Sequence, residues 1–230
     1  VIMVIAMTGF GTGGCIMLQP TGDEHKSNKP MNEKIKLPEP KYDGNTSVER
    51  ALLERRSVRA YKDEALTLNQ VSQLLWSAQG ITDSRETFRT APSAGALYPL
   101  DVYLAIGAVE GVASGVYKYR PLQHRLVMVR NGDVRNELAN AALGQSSVGE
   151  SAIVMVFSAV YERTTKKYGN RGIRYVHMEA GHAAQNVYLQ AVSLDLGMVV
   201  IGAFRDDQVR KILSLSDHER PLYIVPVGKL

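Results

Sequence analysis

The chain has 230 residues, of which 45% are hydrophobic and 22% are charged, and its formal net charge is +4. These are the proportions of an ordinary globular protein, long enough for one large domain. Basic and acidic residues alternate without a basic stripe that carries aromatic residues, which argues against nucleic-acid binding, whereas a mildly basic balance suits a phosphate-bearing cofactor. The single cysteine, Cys15, excludes an intramolecular disulfide and a thiolate metal site.

The first fifteen residues carry no charge and are mostly apolar or small. They are similar to the later part of a signal peptide, and residues 12–15, Thr-Gly-Gly-Cys, resemble a lipoprotein cleavage box. This pattern predicts an exported protein, either periplasmic or held at a membrane only by a lipidated Cys15; the alternative location is the cytoplasm. Residues 16–46 are polar and contain several prolines, which predicts a tether.

The predicted folded region, residues 47–230, opens with two capped helices. Thr46 and Glu49 have the spacing of a capping box, which predicts a first helix that leads into Arg-Arg-Ser-Val-Arg at 55–59. A second capping box at Thr67 and Gln70 predicts a helix whose apolar residues recur at helical spacing.

Strands and further helices then follow in an irregular order. Apolar runs and turn residues predict strands at Asp101–Ile106, Val116–Tyr119, Arg125–Val129, Ala152–Val160, Met198–Ile201 and Tyr223–Val227. Helices are predicted from Asp133 to Leu143, from about Ile173 to Leu194, and from Asp206 or Asp207 to Leu213. Because strands and helices do not alternate regularly, the fold class is predicted as α+β.

Four short elements have the composition of ligand-binding segments. The guanidinium groups at 55–59 match phosphate oxygens in shape and charge, and the small residues of the 92–99 loop let main-chain N–H groups approach a ligand. Gly202-Ala203 follows a strand, and Lys229 adds a cation near the end of the chain. Each element alone is as well explained by an ordinary basic turn, loop or frayed terminus.

Taken together, the order and spacing of these elements resemble the nitroreductase superfamily. The segments that carry the resemblance are RRSVRAY, PSAGALYP, HMEAGHAAQN, IGAF and PVGK, within residues 47–230. The resemblance is closer to the SagB-type branch, named for azoline dehydrogenases of thiazole and oxazole peptide biosynthesis. It implies a mixed or antiparallel sheet flanked by helices, a homodimer formed through long helices, and FMN at the subunit interface.

The same resemblance implies roles for individual residues. The residues that it assigns to FMN binding are Arg55, Arg56, Ser57, Arg59, Ser93, Ala94, Gly95, Gly202, Ala203, Gly228 and Lys229. In this assignment Arg55, Ser57 and Lys229 contact the phosphate and ribityl chain, and Arg59 lies near the pyrimidine edge. The loop at 93–95 reaches the cofactor of the partner subunit, and the main chain at 202–203 bonds flavin N5.

The start of the long helix contains the candidate catalytic residues, Arg174 and Tyr175. Azoline dehydrogenases of the resembling branch have a Lys-Tyr pair near this place, and arginine is a poor general base, which argues against azoline oxidation. His177, Glu179 and His182 lack the spacing of a known metal motif, so no metal is expected. A buried hydrogen-bonded network at the dimer interface is the favoured interpretation of this polar stripe.

The function expected from the resemblance is that of an FMN-dependent oxidoreductase. NAD(P)H is the expected electron donor, and a small organic molecule is the expected acceptor, with both using the same cleft in turn. Two alternatives stay open at this point. One is an azoline dehydrogenase acting on a peptide precursor, and the other is a flavin-binding envelope protein without turnover.

Overall fold

The computed structural model describes residues 33–83, 85 and 88–230. The strands are β1 (Lys34–Lys36), β2 (Ile81–Asp83), β3 (Phe88–Arg89), β4 (Leu100–Ile106), β5 (Gly115–Arg120), β6 (Arg125–Asn131), β7 (Ile153–Val160), β8 (Leu196–Met198) and β9 (Glu219–Lys229). Seven of them form one sheet in the order β1-β6-β5-β4-β7-β9-β8, in which all neighbours are antiparallel. Strands β2 and β3 form a separate hairpin.

Helices cover both faces of the large sheet. They are α1 (Val48–Glu54), α2 (Leu68–Gln79), α3 (Arg135–Ala141), α4 (Ser146–Glu150), α5 (Glu162–Tyr168), α6 (Arg171–Ser193) and α7 (Asp206–Ile212). Helices α2 and α6 share a core with one face of the sheet, and α3, α4 and α7 share a second core with the other face. The predicted α+β class is therefore confirmed, with a large antiparallel sheet flanked by helices.

Strand β7 shows why its sequence reads as one continuous apolar run. Ile153, Met155 and Phe157 point into the core beneath α2 and α6, whereas Val154 and Val156 point into the opposite core. All five side chains are fully buried. Because successive side chains of a strand face opposite sides of the sheet, a strand covered on both sides needs apolar residues at every position.

The two predicted capping boxes have different outcomes. Thr67 and Gln70 form the capping box of α2, which confirms that prediction. The prediction at Thr46 is wrong, because the cap of α1 is Ser47, whose hydroxyl accepts a hydrogen bond from the backbone N–H of Arg50 at 3.1 Å. A serine followed three residues later by a free N–H satisfies the helix end without the predicted pair.

The segment predicted as a tether is partly folded. Within residues 16–46, Lys34–Lys36 forms β1, which pairs with β6, and Leu37 is only 2% exposed. The domain therefore begins before residue 47. Five short elements, β1, β2, β3, α4 and α5, were absent from the sequence prediction, because they carry little apolar periodicity. Residues 1–15, with the lipoprotein-like segment and Cys15, lie outside the described residues.

No helix in the described part of the chain is both long enough and apolar enough to cross a membrane.

Candidate functional site

The Arg-Arg-Ser-Val-Arg sequence lies on an extended segment along the edge of the large sheet, here called the edge segment (residues 55–62). The N–H of Val58 donates to the carbonyl of Met198 at 2.9 Å, and the N–H of Lys62 donates to the carbonyl of Lys229 at 3.0 Å. These two bonds hold the segment beside β8 and the end of β9. Lys229 is thereby brought to the same sheet edge as the arginines.

Two glycines allow the edge segment to lie this close. A Cβ on Gly228 would lie 2.7 Å from the Cβ of Tyr61, and a Cβ on Gly197 would lie 2.9 Å from a methyl carbon of Val58. Such distances are too short for real carbon atoms, so any larger residue would push the segment away. The structure thus gives Gly228 a packing role, and its contact with a cofactor stays a prediction.

Tyr188 of α6 joins the edge segment to the loop after β8. Its hydroxyl accepts a hydrogen bond from the N–H of Val200 at 3.1 Å and lies 2.9 Å from the hydroxyl of Ser57. The guanidinium of Arg55 lies 5.0 Å from the centre of its ring, which is a cation–π distance. Sequence reasoning missed Tyr188, because a tyrosine at one position of a long helix carries no motif.

The predicted pair Gly202-Ala203 follows directly on from this contact. Ile201 and Ile224 exchange backbone hydrogen bonds at 2.8 and 2.9 Å, which fixes the chain just before the pair. Both residues are exposed, and within 33–83, 85 and 88–230 no acceptor takes their backbone N–H groups. Two main-chain donors therefore face outward beside the Tyr188 contact, where they are free to bind a ligand.

The other two arginines of the motif are Arg56 and Arg59. Arg56 donates from Nη1 to the carbonyls of Leu53 and Arg55 at 2.9 and 2.8 Å, so it caps the carboxyl end of α1. Arg59 is exposed. Of the three predicted guanidinium groups, the half-buried Arg55 is the one that the structure brings to Tyr188, and the ligand contacts of Arg56 and Arg59 stay predictions.

The loop that contains Ser93, Ala94 and Gly95 has unusual backbone geometry. Its φ angles are 65° at Gly95, 53° at Ala96 and 45° at Tyr98. Positive φ is uncommon for residues with a side chain and costs on the order of 1–3 kcal/mol. The hydroxyl of Ser93 closes this 92–98 loop by accepting the N–H of Tyr98 at 2.9 Å.

A cleft of about 240 Å³ separates this loop from α6. The residues that line this loop cleft are Pro92, Ser93, Ala94, Tyr175, Met178, Glu179 and His182. Tyr175 also packs edge-on against Tyr168, with ring centres 5.2 Å apart. Arg174 is exposed and lies outside the lining. The structure therefore brings one of the two predicted catalytic residues, Tyr175, beside Ser93 and Ala94.

Glu179 is the buried acidic group of the loop cleft. It is 2% exposed, and burial raises the pKa of its carboxyl to about 7 because a charge is poorly solvated there. The neighbouring Ser93, Arg89 and Gln79 stabilise the carboxylate and limit the rise in pKa. A carboxyl that titrates near neutrality in a cleft is a common feature of catalytic sites.

The other histidine of the polar stripe does not join this cleft. His177 is exposed, and its Nε2 lies 2.5 Å from the hydroxyl of Tyr161. Glu179 and His182 remain on the cleft side of α6. No group of three or more metal-ligating side chains occurs among the residues that the structure describes. His177 thus lies in a different environment from Glu179 and His182.

The two halves of the predicted cofactor site lie far apart on one chain. Tyr188 holds the edge segment, and Tyr175 lies beside Ser93 and Ala94. These tyrosines are thirteen positions apart on α6, which corresponds to roughly 20 Å along the helix. The structure therefore does not bring these two predicted halves together within one chain.

The family model, a relative and a solved structure all relate this chain to the nitroreductases. The model of the nitroreductase family matches residues 52–229. The Methanocaldococcus jannaschii protein MJ1384, assigned to the nitroreductases, is 48% identical over 208 residues, which are 90% of this chain and 98% of that protein. A crystal structure of a Ralstonia eutropha protein with the same assignment has a TM-score of 0.75 at 33% identity, covering 85% of this chain and 89% of that one.

Two more distant relatives have more specific names. The microcin B17-processing protein McbC of Escherichia coli is 30% identical over 65% of this chain and 57% of its own length. An FMN reductase (NADPH) of Bacillus subtilis is 25% identical over 80% of this chain and 66% of its own length. The chain thus resembles both a peptide-processing protein and a flavin reductase.

Proposed function

The chain belongs to the nitroreductase family of oxidoreductases, and we propose that it is an FMN-dependent enzyme that passes electrons from NAD(P)H to a small organic acceptor. FMN, when bound, supplies reversible uptake and release of two electrons. The similarity to an FMN reductase (NADPH) supports both the cofactor and the donor.

The residues present at the edge segment fit a flavin mononucleotide. Arg55 and Lys229 supply positive charge for a phosphate, and Ser57 supplies a hydroxyl. The outward-facing N–H groups of Gly202 and Ala203 suit the acceptor atoms of a flat ring, because neither residue has a bulky side chain in the way. The observation that supports the proposal is the Tyr188 contact, which joins Ser57 and Arg55 of the edge segment to Val200, two residues before Gly202.

A homodimer is part of this proposal. The 92–98 loop lies beside Tyr175, whereas the edge segment lies beside Tyr188, thirteen positions further along α6. The loop is therefore too distant to complete the surface around Tyr188 of its own chain. Apolar side chains on α1 and α6 are also exposed, including Leu53 at 65% and Met178 at 51%. Exposed apolar groups of this kind favour association. A second copy would cover them and bring its loop to the edge segment.

We assign the proton transfer of the proposed reaction to residues of the loop cleft. Reduction of an organic acceptor consumes protons as well as electrons, and Glu179 titrates near pH 7 beside Tyr175 and His182. Ser93 holds the loop through its bond to Tyr98, so the cleft keeps its shape. Arg174 is exposed and lies outside the lining of the loop cleft, so it is the weaker of the two predicted catalytic residues.

The experiment is to purify the protein and record its absorption spectrum before and after adding NADH or NADPH without oxygen. We expect a yellow protein whose flavin band is bleached by at least one of the two donors. Colourless protein that takes up no FMN would refute the cofactor assignment. Yellow protein that neither donor bleaches would favour the flavin-binding protein without turnover.

Azoline dehydrogenation is a second candidate, and two observations favour it. The chain is similar to a microcin-processing protein, and Tyr175 lines a cleft beside the 92–98 loop. Against it, the residue before Tyr175 is an exposed arginine in place of a basic lysine. Oxidation of a thiazoline-containing peptide by the wild type, lost in Tyr175→Phe, would establish this candidate.

We further propose that the protein is exported and anchored through a lipidated Cys15. The support is the uncharged, mostly apolar sequence that ends at the single cysteine. Two or more acyl chains hold a protein stably at a bilayer. Expression with a complete signal sequence, followed by fractionation, tests this: membrane association lost in Cys15→Ser supports it, and cytoplasmic protein that retains residues 1–14 contradicts it.

A further inference from the structure

A second cleft, of about 430 Å³, shares the 92–98 loop through Leu97 and Tyr98. The residues that line this arginine cleft are Arg89, Leu97, Tyr98, Asp101, Tyr119, Arg120, Pro121, Leu122, Gln123 and Arg163. None of them is a predicted flavin-binding or catalytic residue. The cleft therefore adjoins the loop half of the proposed cofactor site without including any residue assigned to the cofactor or to catalysis.

The lining has a surplus of positive charge. Arg89, Arg120 and Arg163 face the cleft, and Asp101 is the single acid of the lining. That acid is already shared, because Arg163 lies 2.9 Å and Lys118 lies 3.1 Å from the same carboxylate oxygen. Arg120 is exposed, and within the described residues it forms no ion pair. At least two guanidinium charges of the cleft thus lack a carboxylate of their own.

Arg89 is the half-buried member of this group. Its Nη1 donates to the side-chain oxygen of Gln79 at 2.8 Å, and its buried Nε has no acceptor in the described part of the chain. Burial lowers the pKa of its guanidinium, because the charge has lost water without gaining a close carboxylate. The nearby Glu179 compensates only partly, since its own pKa lies near 7. A second negative charge at the cleft would stabilise Arg89.

The wall of the cleft is fixed before any ligand arrives. Tyr98 has a φ of 45°, an unfavourable value for a bulky residue. Its ring lies 4.4 Å from the guanidinium carbon of Arg89, and its N–H is held by the hydroxyl of Ser93. Strained residues persist where their surroundings hold them, and they concentrate at binding and catalytic sites.

We propose that the arginine cleft binds an oxyanion, a phosphate or a carboxylate, carried by one of the enzyme's two redox substrates. Guanidinium groups form paired hydrogen bonds with both kinds of oxyanion. Arg120 and Arg163 contact the anion, and the half-buried Arg89 supplies positive charge beside Tyr98. The exposed side chain of Leu122, at 66%, offers an apolar contact for the organic part of the ligand.

The inference rests on the proposed function for the identity of the ligand, but its test does not require turnover. The protein is first saturated with FMN, so that the cofactor's own phosphate site is filled. Inorganic phosphate and benzoate are then titrated separately at low ionic strength by calorimetry. We expect at least one of them to bind, and Arg120→Ala to weaken that binding by roughly 10- to 100-fold, as for the loss of a charge-assisted hydrogen bond.

Arg130→Ala is the matched control. Arg130 lies outside the lining of the arginine cleft and is paired with Glu137. Its substitution therefore removes the same charge as Arg120→Ala at a different place. Unchanged anion binding in Arg130→Ala, with weaker binding in Arg120→Ala, supports the proposal. Equal binding in wild type and Arg120→Ala, or no anion binding at all, overturns it.

Steady-state kinetics then distinguish the two sources of the anion. If the donor carries it, Arg120→Ala raises KM for NADPH and leaves KM for the phosphate-free donor 1-benzyl-1,4-dihydronicotinamide unchanged. If the acceptor carries it, the variant raises KM for 4-nitrobenzoate and leaves that for 4-nitrobenzamide unchanged. Either result supports the cleft, and equal effects on charged and neutral substrates contradict it. Failure of FMN to bind would refute the proposed function instead, and anion binding to the cleft would still be measurable.

Discussion

The edge segment and the 92–98 loop differ in their backbone strain and in the groups that they lie against. The edge segment is extended, unstrained and held by main-chain bonds to Met198 and Lys229, with glycines beneath it. The loop holds Gly95, Ala96 and Tyr98 at positive φ, and it lies beside the buried Glu179 and the half-buried Arg89. The edge segment is thus held by ordinary main-chain bonds, whereas the loop is strained and lies against charged and titratable groups whose burial disfavours their charged forms.

This comparison predicts its largest effect at Glu179. The folded pKa of about 7 lies above the unfolded value of 4.5. Between these values the unfolded chain releases a proton that the folded chain keeps, so the free energy of unfolding falls as pH rises. The total loss is up to about 3 kcal/mol, and it is complete above pH 7. Glu179→Gln should remove this dependence, measured by urea unfolding between pH 5 and 8.

Other titrating groups near Glu179 are controlled by taking the difference between wild type and variant. Arg89, His182 and Tyr175 are present in both proteins. Glu162→Gln, at an exposed glutamate of α5, is the matched control and should leave the pH dependence as it is in wild type. A Glu179→Gln protein with the wild-type slope would show that the carboxyl is solvated.

A smaller effect on stability is expected from disturbing the packing of the edge segment against Gly228. Gly228→Ala places a Cβ at 2.7 Å from Tyr61, so either the segment or the strand must move. We expect a loss of about 1–3 kcal/mol in the free energy of unfolding, as for other overpacked sites, together with weaker FMN binding. Thermal unfolding and FMN titration measure the two effects.

Gly181→Ala serves as the control for that substitution. A Cβ at Gly181 meets no atom within 4 Å, and the residue lies inside α6. Alanine there should raise stability by about 0.5–1 kcal/mol, because glycine is a poor helix former. Should Gly228→Ala be as stable as wild type, the packing role of Gly228 would have to be abandoned.

The smallest effect is expected from removing a single hydroxyl group, that of Tyr188. Tyr188→Phe removes the group that joins Ser57 to Val200, and the ring beside Arg55 remains. Loss of one neutral hydrogen bond corresponds to roughly 2- to 12-fold weaker FMN binding. Quenching of FMN fluorescence during titration measures the affinity, and Tyr42→Phe, at a residue that is 76% exposed, is the control. Identical affinities would separate the hydroxyl from the cofactor site.

The sequence was sufficient where a pattern is local. The apolar run of β7, the capping box at Thr67 and the helical repeat of α6 each occur within a few residues of chain, and each was predicted near its observed bounds. Strand β1 was missed because its three residues carry one apolar side chain, Ile35, and because its pairing with β6 spans about ninety residues.

The parts of the site that were missed depend on contacts between distant residues. Tyr188 meets Ser57 across 131 positions, so no spacing rule connects them. Arg89 carries no motif, and its importance comes from burial beside Gln79 and Tyr98. Gly228 was assigned to a cofactor by resemblance, and only the position of Tyr61 shows its packing role. Local patterns predicted several of the elements, and the fold supplied the electrostatics of the candidate site.

The central claim is that each flavin site takes its edge segment from one subunit and its 92–98 loop from the other. Arg55→Ala damages the first half. Gly95→Val damages the second half, because Gly95 has a φ of 65° and a Cβ there would lie 2.7 Å from the hydroxyl of Tyr168. Co-expression of the two differently tagged variants produces hybrid dimers by random assortment. Each hybrid contains one site with both defects and one intact site.

The measurement is the amount of FMN bound to that mixture, compared with each variant alone. The account predicts recovery of roughly a quarter of the wild-type sites, because half of the dimers are hybrids and one site in each is intact. A chain carrying both substitutions, mixed with wild type, should give hybrids with no intact site. Binding in the mixture of single variants that stays at the average of the two variants alone would contradict a site shared between subunits.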